Sequence, residues 1–175
     1  MRGHRRKITD FPGSMLIMET AASLIARLAL QPHPEGGWYR EVHRSGTRLE
    51  TRLGARNAIT SIYYLLERRQ PSRWHVVSSD EVWHFHAGAP LELLTYRPAT
   101  RTTCRRVLGT TAPAGETIGV VPAGDWQAAR STGDYTLVGC DVAPGFEFAD
   151  FQFVGALPGH ENHFSAELAE FSALL

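Results

Sequence analysis

Short segments with strand character, separated by glycine and proline turns, fill most of the chain between residues 38 and 153. The segment 58–66 is rich in isoleucine and tyrosine, and the turn at 87–90 separates two further segments. Many short strands with regular turns are typical of an antiparallel sandwich or barrel. The sequence therefore predicts an all-β fold with strands at 38–42, 58–66, 81–86, 91–96, 117–121, 135–142 and 146–154.

Helical periodicity is confined to the two ends of the chain. Between residues 19 and 30 the apolar side chains fall on one helical face, and Pro32 ends the helix by restricting the residue before it. A short C-terminal helix is predicted at 165–175, with Ser165 as its N-cap. We expect a disordered tail over 1–14, a single domain over 15–160 and a helical extension over 161–175.

The charge balance excludes several classes of function. The 175 residues contain 18 basic and 18 acidic side chains, so the formal net charge is zero. Nucleic-acid binders and membrane-surface binders need a basic field, which this chain lacks. Two isolated cysteines indicate the reducing cytoplasm rather than a disulfide framework. A neutral chain with an exposed sheet favours a two-fold homodimer.

Two segments contain most of the candidate functional residues. Residues 74–88 contain three histidines, two acids and two tryptophans and end in Gly88, and residues 121–127 read VPAGDWQ. These segments resemble the two halves of a cupin metal site, in which the first motif supplies two histidines and a glutamate and the second supplies a histidine. In this alignment His75 and Glu81 match two ligands, while Val77 and Gln127 stand at the other two positions.

A wider resemblance covers roughly residues 24–155. Its segments are HPEGGWYRE at 33–41, SIYYLL at 61–66, WH at 74–75 with DEVWHFHAG at 80–88, VVPAGDWQAA at 120–129 and VAPGFEF at 142–148. In this order they are similar to a group of small bacterial and fungal cupin-like proteins of unassigned function. The resemblance implies a double-stranded β-helix, the cupin jelly-roll barrel, and a homodimer. It also implies a fold similar to the metal-free dTDP-4-keto-deoxysugar epimerases and, more distantly, to the manganese-dependent germins.

Strand alternation decides which histidines face the barrel interior. If Glu81 points inward, Trp83 and Phe85 point inward with it, whereas His84 and His86 point outward. A bulge between Glu81 and His84 would reverse this assignment. Without His84 and His86, a divalent metal would depend on His75, Glu81 and the neutral amide of Gln127, a weak set of ligands. The cofactor expectation is therefore none, or a weakly bound divalent metal.

Other side chains are candidates for ligand binding. The aromatic residues at positions 74, 83, 85 and 126 either wall a pocket or pack in the core. The turn at 33–37 and the following strand bring together polar side chains that either cover a pocket or reach a neighbouring subunit. Charges at 141, 147 and 150 are expected on turns or the surface, and phenylalanines at 146, 148, 151 and 153 in the core. The ligand-binding candidates are Glu35, Arg40, Trp74, Trp83, Phe85, Trp126 and Gln127.

Three functions fit these residues. The first is a small-molecule isomerase or epimerase, acting on a sugar-like ligand, with His75 as general base, Glu81 as its partner acid and Tyr63 or Tyr39 as a proton donor on the opposite side. The second is a metal-dependent dioxygenase or hydrolase with His75, Glu81 and Gln127 as ligands. The third is a non-catalytic binding or sensor module. The partner expected in each case is a small molecule.

Overall fold

The computed structural model describes residues 19–110 and 115–154 of the chain. Within these residues, strands alternate with turns after a single α-helix, as the sequence predicts. The elements are α1 (Ala21–Leu28), β1 (Gln31–Pro32), β2 (Trp38–Arg44), β3 (Arg48–Thr51), β4 (Gly54–Asn57), β5 (Thr60–Glu67), β6 (Ser72–Val77), β7 (Asp80–Gly88), β8 (Leu91–Arg97), β9 (Thr102–Leu108), β10 (Ile118–Val121), β11 (Trp126–Ser131), β12 (Tyr135–Ala143), a 3-10 turn (Phe148–Asp150) and β13 (Phe151–Phe153).

Two antiparallel sheets face each other and form the barrel. The first has the strand order β1-β2-β5-β12-β7-β10, and the second has the order β13-β6-β11-β8-β9. Their inner faces share one apolar core, because alternate residues of each strand point between the sheets. Its largest buried members include Tyr64, Leu66, Trp83, Leu91, Leu93 and Leu108. The hairpin β3–β4 pairs only with itself, as a separate two-stranded sheet.

Helix α1 packs on the outer face of the first sheet. Thr20 caps its N-terminus in a reciprocal capping box with Ser23, and Ala29 ends it in a left-handed conformation with φ 51°. Leu24 is fully buried against Leu65. The predicted N-terminal helix is confirmed. None of the helices in the described part of the chain is long and apolar enough to cross a membrane.

The outer face of the second sheet carries an apolar cluster of its own. Trp74, Leu94, Tyr96, Trp126 and Ala128 are buried there together with Val154. These residues alternate along β6, β8 and β11 with residues that point into the barrel. Each of these three strands is therefore buried on both faces, which is why their sequences lack the simple alternation of polar and apolar residues.

One expected strand is wrong, and two expected segments lie outside the described residues. The chain from residue 146 to 154 was expected as one strand, but it forms a turn, the 3-10 turn and the three-residue strand β13. The turn begins at a cis peptide bond between Ala143 and Pro144, and this proline ends β12. The predicted C-terminal helix at 165–175 and the tail at 1–14 both lie outside the described residues.

Candidate functional site

A pocket with a volume of about 130 Å³ lies between the two sheets. Strands β2, β5 and β12 of the first sheet line it together with β6 of the second and the first residues of β7. The segment 146–151 closes one side of the pocket, and the turn at 33–37 provides the remaining lining residues. Polar and ionisable groups from both sheets therefore meet in one enclosed space, as a binding site requires.

The turn at 33–37 is built to carry one buried carboxyl group, that of Glu35. His33 N donates to Gly37 O at 3.0 Å, and Gly36 N donates to His33 O at 3.1 Å. Gly36 has φ +118°, and a side chain there would place its Cβ 2.1 Å from the carbonyl oxygen of Pro71. Only glycine fits this position, so the GG pair in the sequence is a requirement of the turn that holds Glu35.

The Glu35 carboxylate lies between two imidazole rings. Its Oε2 is 3.3 Å from His75 Nε2, and its Oε1 is 3.7 Å from His33 Nδ1. Ser72 Oγ donates a hydrogen bond of 3.0 Å to Glu35 Oε1. All three side chains of this His–Glu–His arrangement are nearly excluded from solvent, with exposed fractions of 3–8%. They form a short row of proton acceptors and donors on the wall of the pocket.

His75 has a defined tautomer when it is neutral. Its Nδ1 lies 2.7 Å from the carbonyl oxygen of Arg73. A carbonyl oxygen only accepts hydrogen bonds, so Nδ1 carries the proton and Nε2 presents its lone pair to Glu35. The ring of Phe151 stacks on the imidazole with the centroids 5.1 Å apart. The ring is thus held in one orientation with its basic nitrogen toward the pocket.

Glu81 is oriented by a buried amide. Gln127 Nε2 donates a hydrogen bond to Glu81 Oε2, and Gln127 Oε1 accepts one of 3.0 Å from the indole of Trp83. Because both ends of the Gln127 amide are occupied, the carboxyl group of Glu81 is fixed in place. The Cys140 thiol lines the pocket beside it.

Burial favours the uncharged forms of both the acids and the bases of the pocket, so it raises the pKa of the carboxyl groups and lowers the pKa of the imidazoles. Loss of solvent raises the pKa of Glu35 and raises that of Glu81 to about 7. The same loss of solvent lowers the pKa of His75 and of His33. Neutral forms of all four groups become accessible near physiological pH, which is the condition for general acid–base chemistry.

The mouth of the pocket is formed by Glu41, Arg44 and Glu147, which are all partly exposed. Arg44 Nη2 lies 2.8 Å from Glu41 Oε2, and Arg44 Nη1 lies 2.9 Å from Glu147 Oε1. The same guanidinium also donates to Asn57 Oδ1 and to the carbonyl oxygen of Phe146. Arg44 thereby ties the end of β2 to the segment 146–151.

A bulge in β2 aims Arg44 at the pocket. The pairing of β2 with β5 shifts register between Glu41 and His43, where Val42 is an extra residue. Regular alternation would place Glu41 and His43 on one face and Arg44 on the other. Because of the bulge, Glu41 and Arg44 both line the pocket although they are three residues apart.

A second bulge, in β6, directs the His75 side chain into the pocket. Gln127 of β11 lies opposite His75, and Ala129 lies opposite Ser72. Between these pairs β6 advances three residues while β11 advances two. Ser72 and His75 therefore share the inner face, and both contact Glu35.

Aromatic rings wall the pocket, but they differ from those predicted. Tyr39 meets His33 edge to face at 4.5 Å between centroids, and Phe146, Phe148 and Phe151 close the opposite side. Phe148 is 54% exposed and stands at the edge of the pocket. Three of the four phenylalanines that we expected in the core, all except Phe153, therefore line the pocket.

Of the two alternatives for the aromatic residues at 74, 83, 85 and 126, the structure shows packing away from the pocket. Trp74 and Trp126 lie in the apolar cluster on the outer face of the second sheet, with the sheet between them and the pocket. Trp83 and Phe85 point inward as predicted, but they pack in the central core and are not among the pocket-lining residues. Trp83 is connected to the site through its hydrogen bond to Gln127.

Tyr63 and Arg40 also lie away from the pocket, which corrects their assignment as site residues. Tyr63 belongs to the outer-face cluster that contacts α1, and the Arg40 guanidinium carbon lies 5.8 Å from the Tyr63 ring centroid. His86 approaches the same ring on the outer face at 6.1 Å. His84 points outward as well and pairs with Asp141 at 3.1 Å. The bulge in β7 falls after Phe85, beyond the segment on which the prediction for the two histidines depended.

The expected metal ligands do not fit a metal centre. The Gln127 amide turns its NH2 group toward Glu81 and its oxygen toward the Trp83 indole, and Gln127 is not among the pocket-lining residues. Val77 lines the pocket at the position where a cupin metal site has its second histidine. Among residues 19–110 and 115–154, no group of three or more histidine, cysteine, aspartate or glutamate side chains is arranged to hold a metal ion.

Several site residues were missed or underrated by sequence reasoning. His33 and Glu35 were expected either over a pocket or at a subunit contact, and the structure places both in the pocket wall. Glu147 was expected on a turn or the surface, and Arg44 was not considered. A usable signal was the segment GFEF at 145–148, where a carboxylate stands between two aromatic residues directly after a turn.

Comparison with known proteins agrees with this fold. A family model described as cupin superfamily (DUF985) matches residues 22–154. A hypothetical protein from Leishmania major is 33% identical, with a TM-score of 0.76, and the match covers 89% of this chain and 97% of that one. A protein from Shewanella oneidensis is 34% identical, with a TM-score of 0.75, and the match covers 86% and 96% of the two chains.

More distant structures share the fold alone. An oxalate decarboxylase variant from Bacillus subtilis is 11% identical, with a TM-score of 0.54, and the match covers 82% of this chain and 37% of that one. No curated protein is significantly similar to this chain in sequence. The reaction therefore has to be argued from the pocket itself.

Proposed function

Because this chain belongs to the cupin superfamily, in the family described as DUF985, we propose that its barrel binds a small organic molecule and isomerises or epimerises it by proton transfer. The observation that carries this proposal is the contact of His75 Nε2 with the Glu35 carboxylate at 3.3 Å, in a pocket that also holds Glu81. His75 has an unprotonated Nε2, Glu35 can accept the proton that His75 takes up, and Glu81 has a pKa of about 7. Together these three groups form an acid–base set.

The size of the pocket limits the ligand. A cavity of about 130 Å³ is close to the roughly 150 Å³ of an engineered cavity that binds benzene. A single ring or a chain of similar bulk fills it, and larger groups would extend through the mouth. One monosaccharide unit or a small hydroxy ketone fits this description.

The proposed reaction removes a proton from a carbon next to a carbonyl group. His75 Nε2 accepts this proton, the carbon–hydrogen electron pair forms a carbon–carbon double bond, and protonated Glu81 donates its proton to the carbonyl oxygen. Return of a proton to the neighbouring carbon, or to the opposite side of the same carbon, gives an isomer or an epimer. Glu35 relays the proton held by His75, and Tyr39, which lines the pocket, is the candidate donor for the opposite side.

The test is hydrogen exchange at carbon. The protein is incubated in D₂O with a panel of small aldoses, ketoses and hydroxy ketones, and deuterium uptake is followed by NMR. We expect uptake into at least one compound, and His75→Asn should slow it by about 100-fold or more, since general base catalysis contributes at least that factor. His84→Asn, a change to a histidine on the outer face, is the matched control and should leave the rate unchanged.

Two outcomes would contradict the proposal. If His75→Asn exchanges deuterium as fast as the wild type, His75 is not the base. If compounds bind but are recovered without deuterium, the protein is a binding module and not an isomerase. Metal analysis of protein purified without a histidine tag tests the metal-dependent alternative, because a stoichiometric metal lost in Glu81→Gln would favour it.

A further inference from the structure

The pocket is rich in acids and poor in available cations. Four carboxyl groups line it, those of Glu35, Glu41, Glu81 and Glu147. Among the described lining residues the only lysine or arginine is Arg44. The two imidazoles of the pocket do not compensate, because both are largely removed from solvent and favour their neutral forms.

Arg44 has no donor left for a ligand. A guanidinium carries five N–H groups, and each of its three nitrogens is already engaged. Nε donates to Glu41 Oε1, Nη2 donates to Glu41 Oε2 and to Phe146 O, and Nη1 donates to Asn57 Oδ1, Phe146 O and Glu147 Oε1. An anionic ligand would have to break one of these bonds before it met a positive charge.

Guanidinium groups on the neighbouring surfaces are occupied as well. Arg73 donates to the carbonyl oxygens of Pro34 and Glu35 from outside the pocket. Arg56 forms a two-pronged ion pair with Asp150, at 2.7 and 2.8 Å. Neither side chain is among those that line the pocket.

From this arrangement we propose that the pocket selects an uncharged, hydroxyl-bearing ring and excludes ligands that carry a carboxylate or a phosphate inside it. Carboxylate oxygens accept hydrogen bonds from hydroxyl groups, and the walls formed by Tyr39, Phe146 and Phe151 offer apolar faces to a ring. A ligand anion placed near Glu41 and Glu147, two carboxylates that share the single positive charge of Arg44, meets a net negative charge. The inference rests on the proposed binding site and does not require turnover.

The test compares two probes that differ only in the group at C6. Methyl β-D-glucopyranoside and methyl β-D-glucuronide have the same ring, and the second carries a carboxylate where the first has a hydroxymethyl group. Binding of each to the full-length protein is measured by isothermal titration calorimetry and by saturation-transfer NMR at neutral pH. We expect the uncharged glycoside to bind at least about tenfold more tightly, which corresponds to about 1.4 kcal/mol.

A variant of the mouth identifies the cause of the selection. Glu147→Gln removes one negative charge and weakens one partner of Arg44, so it should raise the affinity for the glucuronide relative to that for the glycoside. The ratio of the two affinities should fall to about twofold, well under the tenfold that 1.4 kcal/mol represents. Glu50→Gln, an exposed change on the β3–β4 hairpin, is the matched control and should alter neither affinity.

The outcomes separate this inference from the proposed reaction. Equal or tighter binding of the glucuronide overturns the charge selection, as does failure of the protein to bind either probe. Methyl β-D-glucopyranoside has no free carbonyl group and cannot exchange, so turnover is judged only on the panel of aldoses, ketoses and hydroxy ketones. Selective binding of the glycoside without deuterium uptake into any compound of that panel would support the charge selection while contradicting the isomerase proposal.

Discussion

The two faces of β6 and β11 have opposite roles, although the residues concerned are neighbours in sequence. On the inner face, His75 and Gln127 lie opposite each other and hold the polar end of the pocket. On the outer face, Trp74 and Trp126 pack into an apolar cluster. One position along the chain thus separates a site residue from a residue that stabilises the fold.

Burial has opposite effects on the free energy of folding at the two faces of these strands. The inner face keeps acids and imidazoles out of water, which costs free energy because buried ionisable groups lose hydration. The outer face buries large aromatic surfaces, which offsets that cost. Changes on the two faces should therefore separate cleanly into effects on folding and effects on the site.

The largest expected effect on stability comes from the outer face. Trp74 is 1% exposed, and Trp74→Ala should lower the free energy of unfolding by about 3–5 kcal/mol, the usual cost of truncating a buried large aromatic residue. Urea denaturation measures this, with Val76→Ala in the same cluster as the control at about 1 kcal/mol. A change in ligand affinity in Trp74→Ala under conditions where it is folded would contradict the separation of the two faces.

An inner-face acid should show itself as a pH dependence of folding. The pKa of Glu81 is raised from 4.5 in the unfolded chain to about 7 in the fold. Folding therefore favours the protonated acid, so its stabilising contribution is complete below pH 4.5 and is lost as the pH rises to about 7.

The measurement is the difference in the free energy of unfolding between the wild type and Glu81→Gln at several pH values. This difference should fall by on the order of 3 kcal/mol across that window, since one pH unit corresponds to about 1.4 kcal/mol. The lowered pKa of His75 acts with the opposite sign below about pH 6.5, but it is present in both proteins and largely cancels. A constant difference would show that Glu81 is not a buried neutral acid.

Gln127 connects the two regions of the inner face, and its removal should have an intermediate effect. Gln127→Ala leaves the Trp83 indole and the Glu81 carboxyl without their buried partner, at a cost of about 1–3 kcal/mol. Its hydrogen bond lowers the pKa of Glu81, so the variant should raise that pKa further, as followed by NMR titration. Gln152→Ala, on the exposed side of β13, is the control. An unchanged Glu81 titration would show that the amide does not orient the acid.

The smallest effect is expected at Tyr63, whose ring lies in the outer-face cluster near α1. Tyr63→Phe should change the free energy of unfolding by less than about 0.5 kcal/mol and should not alter deuterium exchange. Its inner-face counterpart, Tyr39→Phe, should slow exchange if Tyr39 donates a proton. Loss of exchange in Tyr63→Phe would indicate that the reaction occurs on the outer face of the first sheet, and it would contradict the assignment of the site to the inner face.

Much of this architecture was predictable because it depends on local patterns. Turn residues and strand alternation indicated the all-β fold, and the cap at Thr20 agrees with the helix expected near it. Alternation along β7 also predicted the inward Glu81 and the outward His84, since the register between them is regular. His75 was identified by its place in a motif rather than by alternation.

The rest depends on pairing between distant strands, which a single sequence does not display. Arg44 reaches the mouth only because β2 contains an extra residue opposite β5. Trp74 and Trp126 have the composition of a ligand wall, but their side is set by the register of β6 with β11. The turn from 146 to 150 replaces an expected strand and turns phenylalanines toward the pocket.

The bulges also predict where related chains can differ in length. Removing Val42 would leave Arg44 two positions after Glu41, the spacing of an unbroken strand, so both side chains would keep their direction. Removing Arg40 instead would reverse the inward and outward directions of all residues on one side of the deletion, and Tyr39 would no longer line the pocket. Single-residue deletions in homologous proteins, and those introduced by design, should therefore be tolerated at Val42 and at the exposed Arg73 in β6, and rejected elsewhere in the same strands.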